Sequence, residues 1–329
     1  MALNVSCRAV SSVALLSKGL CFCLVNYSES ALASLAVEAS RLDRFWLWSN
    51  CGTMAIGALA ASLGALHFVA RVRGVANGSL PSKPSILLLH KTASEVMLGW
   101  SMMAISALYA AEVYGMGDYY STAVLFFIIP FDASVLSSLT SYLSLSCMKA
   151  LAVAYPINYR AFVTNRACYG LLLLVWTTIV LEGLLSSSQT GLRPVPAAFL
   201  QLVGKALTVG YLLLGLGTLA AFAVTAMVLF HHKSRASEAA SGVGTTRVVA
   251  GFALFIVGYL PTAVYSAYRW TCRDDPCLII TRPTRFAVLL SGSVWAMLLK
   301  SAVDPLLEAA MDWRLRAQMT ACLLFWRNG

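Results

Sequence analysis

Glu95, Lys300 and Asp304 are three of the few ionisable side chains that lie inside long apolar stretches of the sequence. Glu95 falls within residues 86–111, and Lys300 and Asp304 fall within residues 286–308. A charged side chain in the middle of a bilayer costs about 2.5–3.5 kcal/mol, so we expect such groups to be paired or functional. Lys300 and Asp304 stand at the i, i+4 spacing of helix neighbours. The chemistry indicated is ion pairing in an apolar interior.

The composition explains why these residues must be considered in a membrane. The chain has 329 residues, of which 59% are hydrophobic and 12% charged, and its mean hydropathy is +0.75. Soluble domains carry about 45–50% apolar and about 25% charged residues. So little charge excludes a soluble enzyme, a disordered chain, a coiled coil and a small disulfide-rich scaffold. The composition is typical of a polytopic membrane protein.

Seven stretches are long and apolar enough to cross a bilayer, which takes about 20 mainly apolar residues. They are residues 46–70, 86–111, 119–148, 168–187, 202–230, 248–268 and 286–308. The third is rich in Ser and Thr, whose hydroxyls can bond to their own helix or to a neighbouring one. The sequence predicts an all-α membrane protein with a seven-transmembrane bundle over residues 46–312. Residues 1–45 form a segment before it, and residues 313–329 form a short amphipathic helix and tail.

Basic residues in the connecting segments favour an outside amino terminus. In that orientation thirteen of the 24 Lys and Arg residues are on the inner side and nine on the outer side, as the positive-inside rule requires. Arg71 and Lys91 count among the inner-loop residues. Asn4 and Asn26, each in an Asn-x-Ser motif, are then accessible to N-glycosylation. We expect a multi-pass plasma-membrane protein with an extracellular amino terminus.

Several further residues occur in a set order along these stretches. They are Ser138, the run from Met148, Lys149 and Ala150 to Pro156 and Tyr159, Trp176, the group Phe255, Tyr259 and Pro261, the run Asp304-Pro305-Leu306-Leu307-Glu308, and the amphipathic stretch Trp313 to Leu323. This ordered set resembles the motifs of rhodopsin-like G-protein-coupled receptors. That resemblance implies a seven-helix bundle followed by a short eighth helix.

The resemblance also suggests a role for the charged residues in the apolar stretches. Glu95, Ser138 and Asp304 match positions that line a sodium-binding cavity in the family. We infer that the Lys300 ammonium replaces the sodium ion and pairs with Glu95 and Asp304. Two carboxylates and one ammonium leave one negative charge, which protonation of one carboxyl group would remove. The network is either purely structural or a switch that rearranges on activation.

The resemblance implies a receptor that passes an extracellular ligand signal to a heterotrimeric G protein. The coupling positions are Lys149, Pro156 and Glu308, and two of them depart from the family. Lys149 replaces an arginine and lacks its planar fork, while Glu308 replaces a tyrosine. The family's outer disulfide is also missing. The alternative is a receptor-like protein that does not couple, acting as a decoy, a scavenger or a regulator of a partner; a transporter has less support.

Candidate ligand-binding residues lie in the outer halves of the predicted helices. They are Phe131, Asp132, Glu182, Lys205, Tyr259 and Tyr265. Asp132 either contacts a ligand or pairs with a polar group of a neighbouring helix in a structural role. Glu182 is a candidate ion-pair partner for Lys205. Phe255 and Tyr259 match the family's toggle aromatics or are plain core residues. Pro261 removes a backbone donor and is expected to kink the sixth helix.

The cysteines indicate modification sites and no metal centre. Cys272 and Cys277 flank four residues of an outer loop, which favours a local disulfide in an oxidising compartment. The pairing of Cys7, Cys21 and Cys23 stays open, and Cys322 is either a palmitoylation site or a free thiol. The four histidines form no catalytic or metal-binding pattern. We therefore expect no enzyme activity, no cofactor and no nucleic-acid partner; the lipid bilayer is the expected environment.

Overall fold

The computed structural model describes residues 29–113, 120–155, 157, 159, 163–187, 197–233, 242–274 and 282–328. Eight helices make up nearly all of this described part. They are α1 (Glu29–Ala76), α2 (Ser82–Val113), α3 (Tyr120–Ala154), α4 (Asn165–Ser187), α5 (Ala197–Lys233), α6 (Gly242–Asp274), α7 (Pro283–Met311) and α8 (Trp313–Asn328). The predicted all-α class is confirmed, and each of the seven apolar stretches coincides with one of the first seven helices.

Four of these helices are long and apolar enough to cross a membrane. The spans are Arg44–Ala76 in α1, Thr208–Val228 in α5, Val249–Tyr268 in α6 and Thr284–Met311 in α7. The protein is therefore a membrane protein. The ionisable residues in the middle of α2 and the hydroxyl-rich sequence of α3 lower the hydropathy of those helices. In α4, several side chains lie outside the described part.

The amino-terminal boundary differs from the sequence-based expectation. Helix α1 begins at Glu29, so residues 29–45 do not form a separate segment before the first helix. Hydropathy locates the part of a helix that can lie in lipid, and the span in α1 indeed starts at Arg44. The preceding turns are rich in Ala, Leu, Glu and Ser. Ala, Leu and Glu are strong helix formers, so the helix continues beyond its apolar part.

The helices pack in an order that returns to its start. Helix α1 packs against α2, α7 and α8, and α2 packs against α3. Helix α3 also contacts α4 and α5, and the contacts continue from α5 to α6 and from α6 to α7. Side chains that point inward from α2, α3 and α7 therefore share one interior.

Small residues bring α1 and α2 into close contact. A Cβ atom added at Gly99 would lie 2.7 Å from the carbonyl oxygen of Gly57, and one added at Gly57 would lie 3.0 Å from that of Gly99. Glycine on both helices therefore lets the two backbones approach, as small residues do in membrane helices. This close approach holds the polar residues further along both helices near α7.

The hydroxyl groups of α3 are satisfied in the two ways that the sequence predicts. Thr140, Ser141 and Ser144 each donate to the backbone carbonyl four residues earlier, at 2.7–2.9 Å. Ser137 instead pairs across to Ser94 of α2, at 2.5 Å between the two oxygens. These bonds explain how a Ser- and Thr-rich helix can lie in the interior of a membrane protein.

Asp312 ends α7 and starts α8. Its backbone is extended, and its side-chain oxygen accepts hydrogen bonds from the backbone N–H groups of Arg314 and Leu315 at 3.0 and 3.4 Å. An aspartate in this position is a favourable helix N-cap. Leu315 and Met319 then pack against Ala70 of α1. The predicted short helix after the seventh is confirmed.

Candidate functional site: an interhelical ion cluster

One face of α7 carries three ionisable residues at successive turns: Lys300, Asp304 and Glu308. Lys300 and Asp304 are both buried, and the Lys300 Nζ atom lies 2.9 Å from Asp304 Oδ2. The same Nζ atom lies 3.1 Å from Glu95 Oε1 on α2, where Glu95 is 1% exposed. The predicted pairing of Lys300 with both carboxylates is confirmed.

Tyr142 completes the coordination of the Lys300 ammonium from α3. Its hydroxyl accepts a hydrogen bond from Lys300 Nζ and donates one to Glu95 Oε1 at 3.1 Å. The Tyr142 ring also lies under the ammonium, with 3.9 Å from Lys300 Nζ to the ring centroid, a cation–π geometry. Ser138, the predicted member from α3, lines a small cavity beside Lys300. Among the described contacts, Ser138 makes no hydrogen bond to the cluster, so Tyr142 takes the role predicted for Ser138.

Lys91 is a second buried cation that the sequence-based prediction assigned to an inner loop. It is 3% exposed. Its Nζ atom lies 2.9 Å from Asp304 Oδ2, 3.2 Å from Glu308 Oε1 and 3.8 Å from Glu95 Oε1. Lys91 therefore joins all three carboxylates. The i, i+4 spacing of Lys91 and Glu95 on one helix face was the signal that could have identified it.

Helix α1 contributes the third cation. Arg71 Nη2 donates to Glu308 Oε2 at 2.7 Å, and His67 Nε2 lies 3.1 Å from the same oxygen. His67 Nδ1 contacts Thr92 Oγ1 of α2 at 3.1 Å. Both Arg71 and His67 are buried. Arg71 is thus an interior residue rather than the loop residue expected from the sequence, and Glu308 is tied to α1 and α2.

These six residues balance one another in charge. We call them the ion cluster: the cations Arg71, Lys91 and Lys300 and the carboxylates Glu95, Asp304 and Glu308. Three positive and three negative charges sum to zero with every group ionised. The sequence-based count of two carboxylates to one ammonium was incomplete, because Lys91, Arg71 and Glu308 also belong to the cluster. Buried ion pairs need this degree of pairing because desolvation costs several kcal/mol for each ion.

Lys300 also links the ion cluster to α6. A Cβ atom added at Gly258 would lie 2.4 Å from Lys300 Cδ, so only glycine leaves room for the lysine stem at this point. Lys300, Phe255 and Tyr259 line the same cavity, about 40 Å³ in volume. A space of that size admits about one water molecule and no ligand of ordinary size.

Stacked aromatic rings extend from this cavity towards α5. Phe255 and Tyr259 stack with ring centroids 5.2 Å apart, and Phe255 lies 5.5 Å from Tyr142. The Tyr259 hydroxyl donates to the backbone carbonyls of Tyr211 and Leu212 at 3.0 and 3.2 Å. The two toggle candidates are therefore in contact with each other and with the residue that bonds Lys300. Pro261 lies inside α6, and its predicted kink stays a prediction.

The outer-half candidates are brought together only in part. Tyr211 joins two of them: its hydroxyl donates to the Asp132 carbonyl at 3.5 Å, and its own carbonyl accepts from Tyr259. Phe131 packs instead near Leu298 of α7. The structure therefore supports a shared neighbourhood for Asp132 and Tyr259 but not for Phe131.

The remaining outer candidates have other neighbours. Tyr265 lies 6.1 Å from the Phe286 ring, measured between centroids. Lys205 Nζ lies 5.4 Å from the centroid of the Trp270 ring. The side chain of Glu182 is outside the described part, so its pairing with Lys205 stays a prediction.

The predicted coupling and modification residues differ in their surroundings. Lys149 is exposed near the carboxyl-terminal end of α3, and Met148 beside it packs near Leu145 and Cys168. Cys322 is 2% exposed, and Arg73 Nη1 lies 3.5 Å from its sulfur. A thiol packed between α8 and α1 is inaccessible to an acylating enzyme, so the structure favours the free-thiol alternative.

Several predicted sites fall outside the described residues. These are Asn4 and Asn26, Cys7, Cys21 and Cys23, Pro156, and Cys277, together with the side chain of Cys272. The glycosylation, disulfide and proline predictions therefore stay predictions.

A second polar group lies beside the ion cluster and was not predicted. His90 of α2 bonds two serines of α3, with 2.9 Å from Nδ1 to Ser141 Oγ and 3.2 Å from Nε2 to Ser137 Oγ. The Trp176 ring of α4 approaches His90 edge-on at 6.0 Å. Neutral hydrogen bonds thus join α2 to α3 on the side away from the charges.

Comparison with protein-family models and with curated proteins finds no match to this chain.

Proposed function

We propose that the protein is a rhodopsin-like receptor with seven membrane-spanning helices, α1 to α7, and an extracellular amino terminus at the plasma membrane. A ligand entering between the outer halves of α3, α5 and α6 would be signalled to a cytosolic G protein. The observation that carries the proposal is the ion cluster. Glu95 and Asp304, the two carboxylates at the family's cavity positions, meet in the interior through Lys300.

The order of the helices supports the same proposal. The succession of contacts from α1 to α7 returns to α1, and a short helix follows α7 and packs on α1. Four of the seven helices are apolar enough to cross a membrane by themselves. Of the other three, α2 and α3 carry polar residues that pair within the interior, as Glu95, Ser94 and Ser137 do. Helices of this kind cross a membrane as parts of a packed bundle.

The geometry provides a route from the outer half to the ion cluster. Tyr259 bonds the backbone of α5 and stacks on Phe255. A ligand that moves α6 at Tyr259 also moves Gly258, which touches the Lys300 stem. The Lys300 ammonium would then shift relative to Glu95 and Asp304. In this proposal the ion cluster is the element with two arrangements, and ligand binding shifts the balance between them.

A nucleotide-exchange screen across G-protein families in cells tests the proposed coupling. The wild-type chain should stimulate exchange above the level of cells without it. The Lys149→Arg variant should stimulate more strongly, because a guanidinium forms forked hydrogen bonds that an ammonium does not. Arg166→Lys, at the exposed start of α4, is the matched control and should behave as wild type. Surface expression is measured for each variant.

A non-coupling receptor-like protein is the second candidate, favoured by the surroundings of Lys149. In the family an acidic residue precedes the arginine and restrains it, whereas here Met148 packs among apolar side chains. If neither the wild type nor Lys149→Arg stimulates exchange while both reach the cell surface, coupling is excluded and this second candidate replaces it.

Glycosylation tests the proposed orientation separately from coupling. Removing N-glycans should increase the gel mobility of the wild-type chain, and the Asn4→Gln, Asn26→Gln double variant should show no such change. Asn77→Gln is the control, since Asn77 follows the inner end of α1 and should carry no glycan. A mobility change that depends on Asn77 would reverse the orientation.

A further inference from the structure

A groove of about 510 Å³ lies between the amino-terminal turns of α1 and the start of α7. Its polar lining includes Glu38, Arg41 and Thr284, and its apolar lining includes Leu42, Phe45 and Val288. The Thr284 hydroxyl donates a hydrogen bond to Glu38 Oε1, which joins the two helices at this level. A volume of this size is within the range of ligand-binding pockets.

The polar and apolar parts of the groove match the layers of a bilayer. The membrane spans begin at Arg44 in α1 and at Thr284 in α7. With a rise of 1.5 Å per residue, Arg41 lies about 4.5 Å and Glu38 about 9 Å beyond the end of the α1 span. The headgroup layer is about 5–8 Å thick on each side of the hydrocarbon core. Arg41 is therefore at headgroup depth and Glu38 at the outer edge of that layer, while Phe45 is at the start of the hydrocarbon core and Val288 is within it.

The groove is open towards the lipid. Val37 and Val288, which line it on α1 and α7, are 55% and 53% exposed. An occupant can therefore enter sideways from the bilayer, with its apolar part beside Val288 and its polar part beside the charged residues. An amphiphile that is already in the membrane fits this opening better than a water-soluble ligand does.

The charges select the headgroup. Arg41 and Glu38 are three residues apart, so both point to the same side of α1. A guanidinium recognises phosphate oxygens, and a carboxylate accepts hydrogen bonds from an ammonium group. We propose that the groove binds a zwitterionic phospholipid of the outer leaflet, with its phosphate at Arg41 and its ammonium at Glu38. The outer-leaflet assignment rests on the orientation given under the proposed function.

Photo-crosslinking of the full chain in nanodiscs tests the proposal. The probe is phosphatidylethanolamine with a diazirine in one acyl chain, and adducts are mapped by mass spectrometry. Labelling should concentrate at residues 37–45 and 284–288. Phosphatidylglycerol with the same acyl chain has the phosphate without the ammonium. Its labelling of the groove should be lower than that of phosphatidylethanolamine by a factor of about three or more, because Glu38 repels it. Both leaflets are present in nanodiscs, so this result does not depend on the orientation or on G-protein coupling.

Variants separate the contributions of the two charges. Arg41→Gln should lower labelling by both lipids about fivefold, the factor for one lost charge-assisted contact of about 1 kcal/mol. Glu38→Gln should remove the preference for phosphatidylethanolamine while labelling persists. Arg44→Gln is the matched control, since Arg44 is exposed one turn further along α1 and does not line the groove. Labelling spread evenly over the lipid-facing helices, or unchanged by Arg41→Gln, would overturn the proposal. So would labelling only by a water-soluble single-chain amphiphile.

Discussion

The two halves of the helix assembly use polar residues in different ways. Following the proposed orientation, we call the half that holds the ion cluster the inner half and the half that holds Asp132 and Tyr211 the outer half. In the inner half, six ionisable side chains on α1, α2 and α7, three basic and three acidic, make direct contacts of 2.7–3.8 Å. In the outer half, the described contacts involve hydroxyl groups, backbone or rings, such as Ser49 to Ser291 at 2.9 Å, Tyr211 to the Asp132 carbonyl at 3.5 Å and Lys205 over Trp270 at 5.4 Å.

This difference suggests a division of roles between the two halves. Five of the six side chains of the ion cluster are buried, so leaving any of these charges without a partner is costly, and the cluster ties α1, α2 and α7 together in either of its arrangements. The weaker contacts of the outer half can rearrange around a ligand at a smaller cost. Lys300 and Tyr142 lie at the boundary, where the aromatic stack meets the ion cluster. Substitutions in the ion cluster should therefore lower the thermal stability more than substitutions in the outer half.

The largest effect is expected for Lys300→Met, which removes an ammonium and keeps much of the stem. Breaking a buried ion pair costs about 3–5 kcal/mol, because Glu95 and Asp304 lose a partner. Thermal unfolding of the purified protein should show a strong loss of stability. Lys205→Met in the outer half is the matched control and should cost about 1 kcal/mol or less. Adding Glu95→Gln to Lys300→Met should restore part of the lost stability. If Lys300→Met and Lys205→Met lowered the stability equally, the difference between the two halves would be contradicted.

A smaller effect is expected for Tyr142→Phe, which keeps the ring under the two ammonium groups and removes the hydroxyl. The lost hydrogen bonds involve Lys300 and Glu95, and bonds to charged groups contribute about 1.5–3 kcal/mol. Tyr259→Phe is the outer-half counterpart, because its hydroxyl bonds only backbone carbonyls among the described contacts. That bond should contribute about 0.6 kcal/mol. Thermal unfolding of both variants gives the difference, and a larger loss for Tyr259→Phe would be inconsistent with this account.

The third variant, Gly258→Ala, tests the boundary between the halves. The added methyl group collides with the Lys300 stem, and overpacking of this kind costs about 1–3 kcal/mol. Gly251→Ala on the same helix is the control, since its added Cβ would meet only Phe222, at 4.0 Å. That control should be neutral or should stabilise α6, because alanine favours helices over glycine by about 0.5–1 kcal/mol. Both variants are measured by thermal unfolding. If Gly258→Ala and Gly251→Ala had the same stability, the contact between α6 and Lys300 would not contribute to the stability of the protein.

Much of the helical architecture could be predicted from hydropathy, because a helix in lipid must be apolar over a fixed length. The helix ends could not, and α1 shows why: Glu29 to Asp43 is helical without being apolar enough to span. Hydropathy describes the solvent around a helix, whereas helix formation depends on backbone bonds and side-chain propensity.

Half of the ion cluster could be predicted. Lys300, Asp304 and Glu95 stand out because they interrupt apolar runs. Lys91 and Arg71 lie near the ends of such runs, where a basic residue ordinarily reaches the water interface. The packing of α1 and α2 against α7 shows that both turn inward to Glu308, and for Lys91 the i, i+4 spacing to Glu95 was the one sequence signal of this. Tyr142 was missed for a different reason, since a tyrosine in an apolar helix gives no signal of its hydrogen-bond partners.

The most direct test of the central claim compares the thermal stability of the purified chain in sodium chloride and in choline chloride at equal ionic strength. The Lys300 ammonium occupies the space between Glu95 and Asp304, so the melting temperature of the wild-type protein should be the same in both salts. Lys300→Ala vacates that space and should melt at a higher temperature in sodium chloride. If sodium stabilised the wild-type protein, the Lys300 ammonium would not take the place of the sodium ion that binds at these positions in the proposed family.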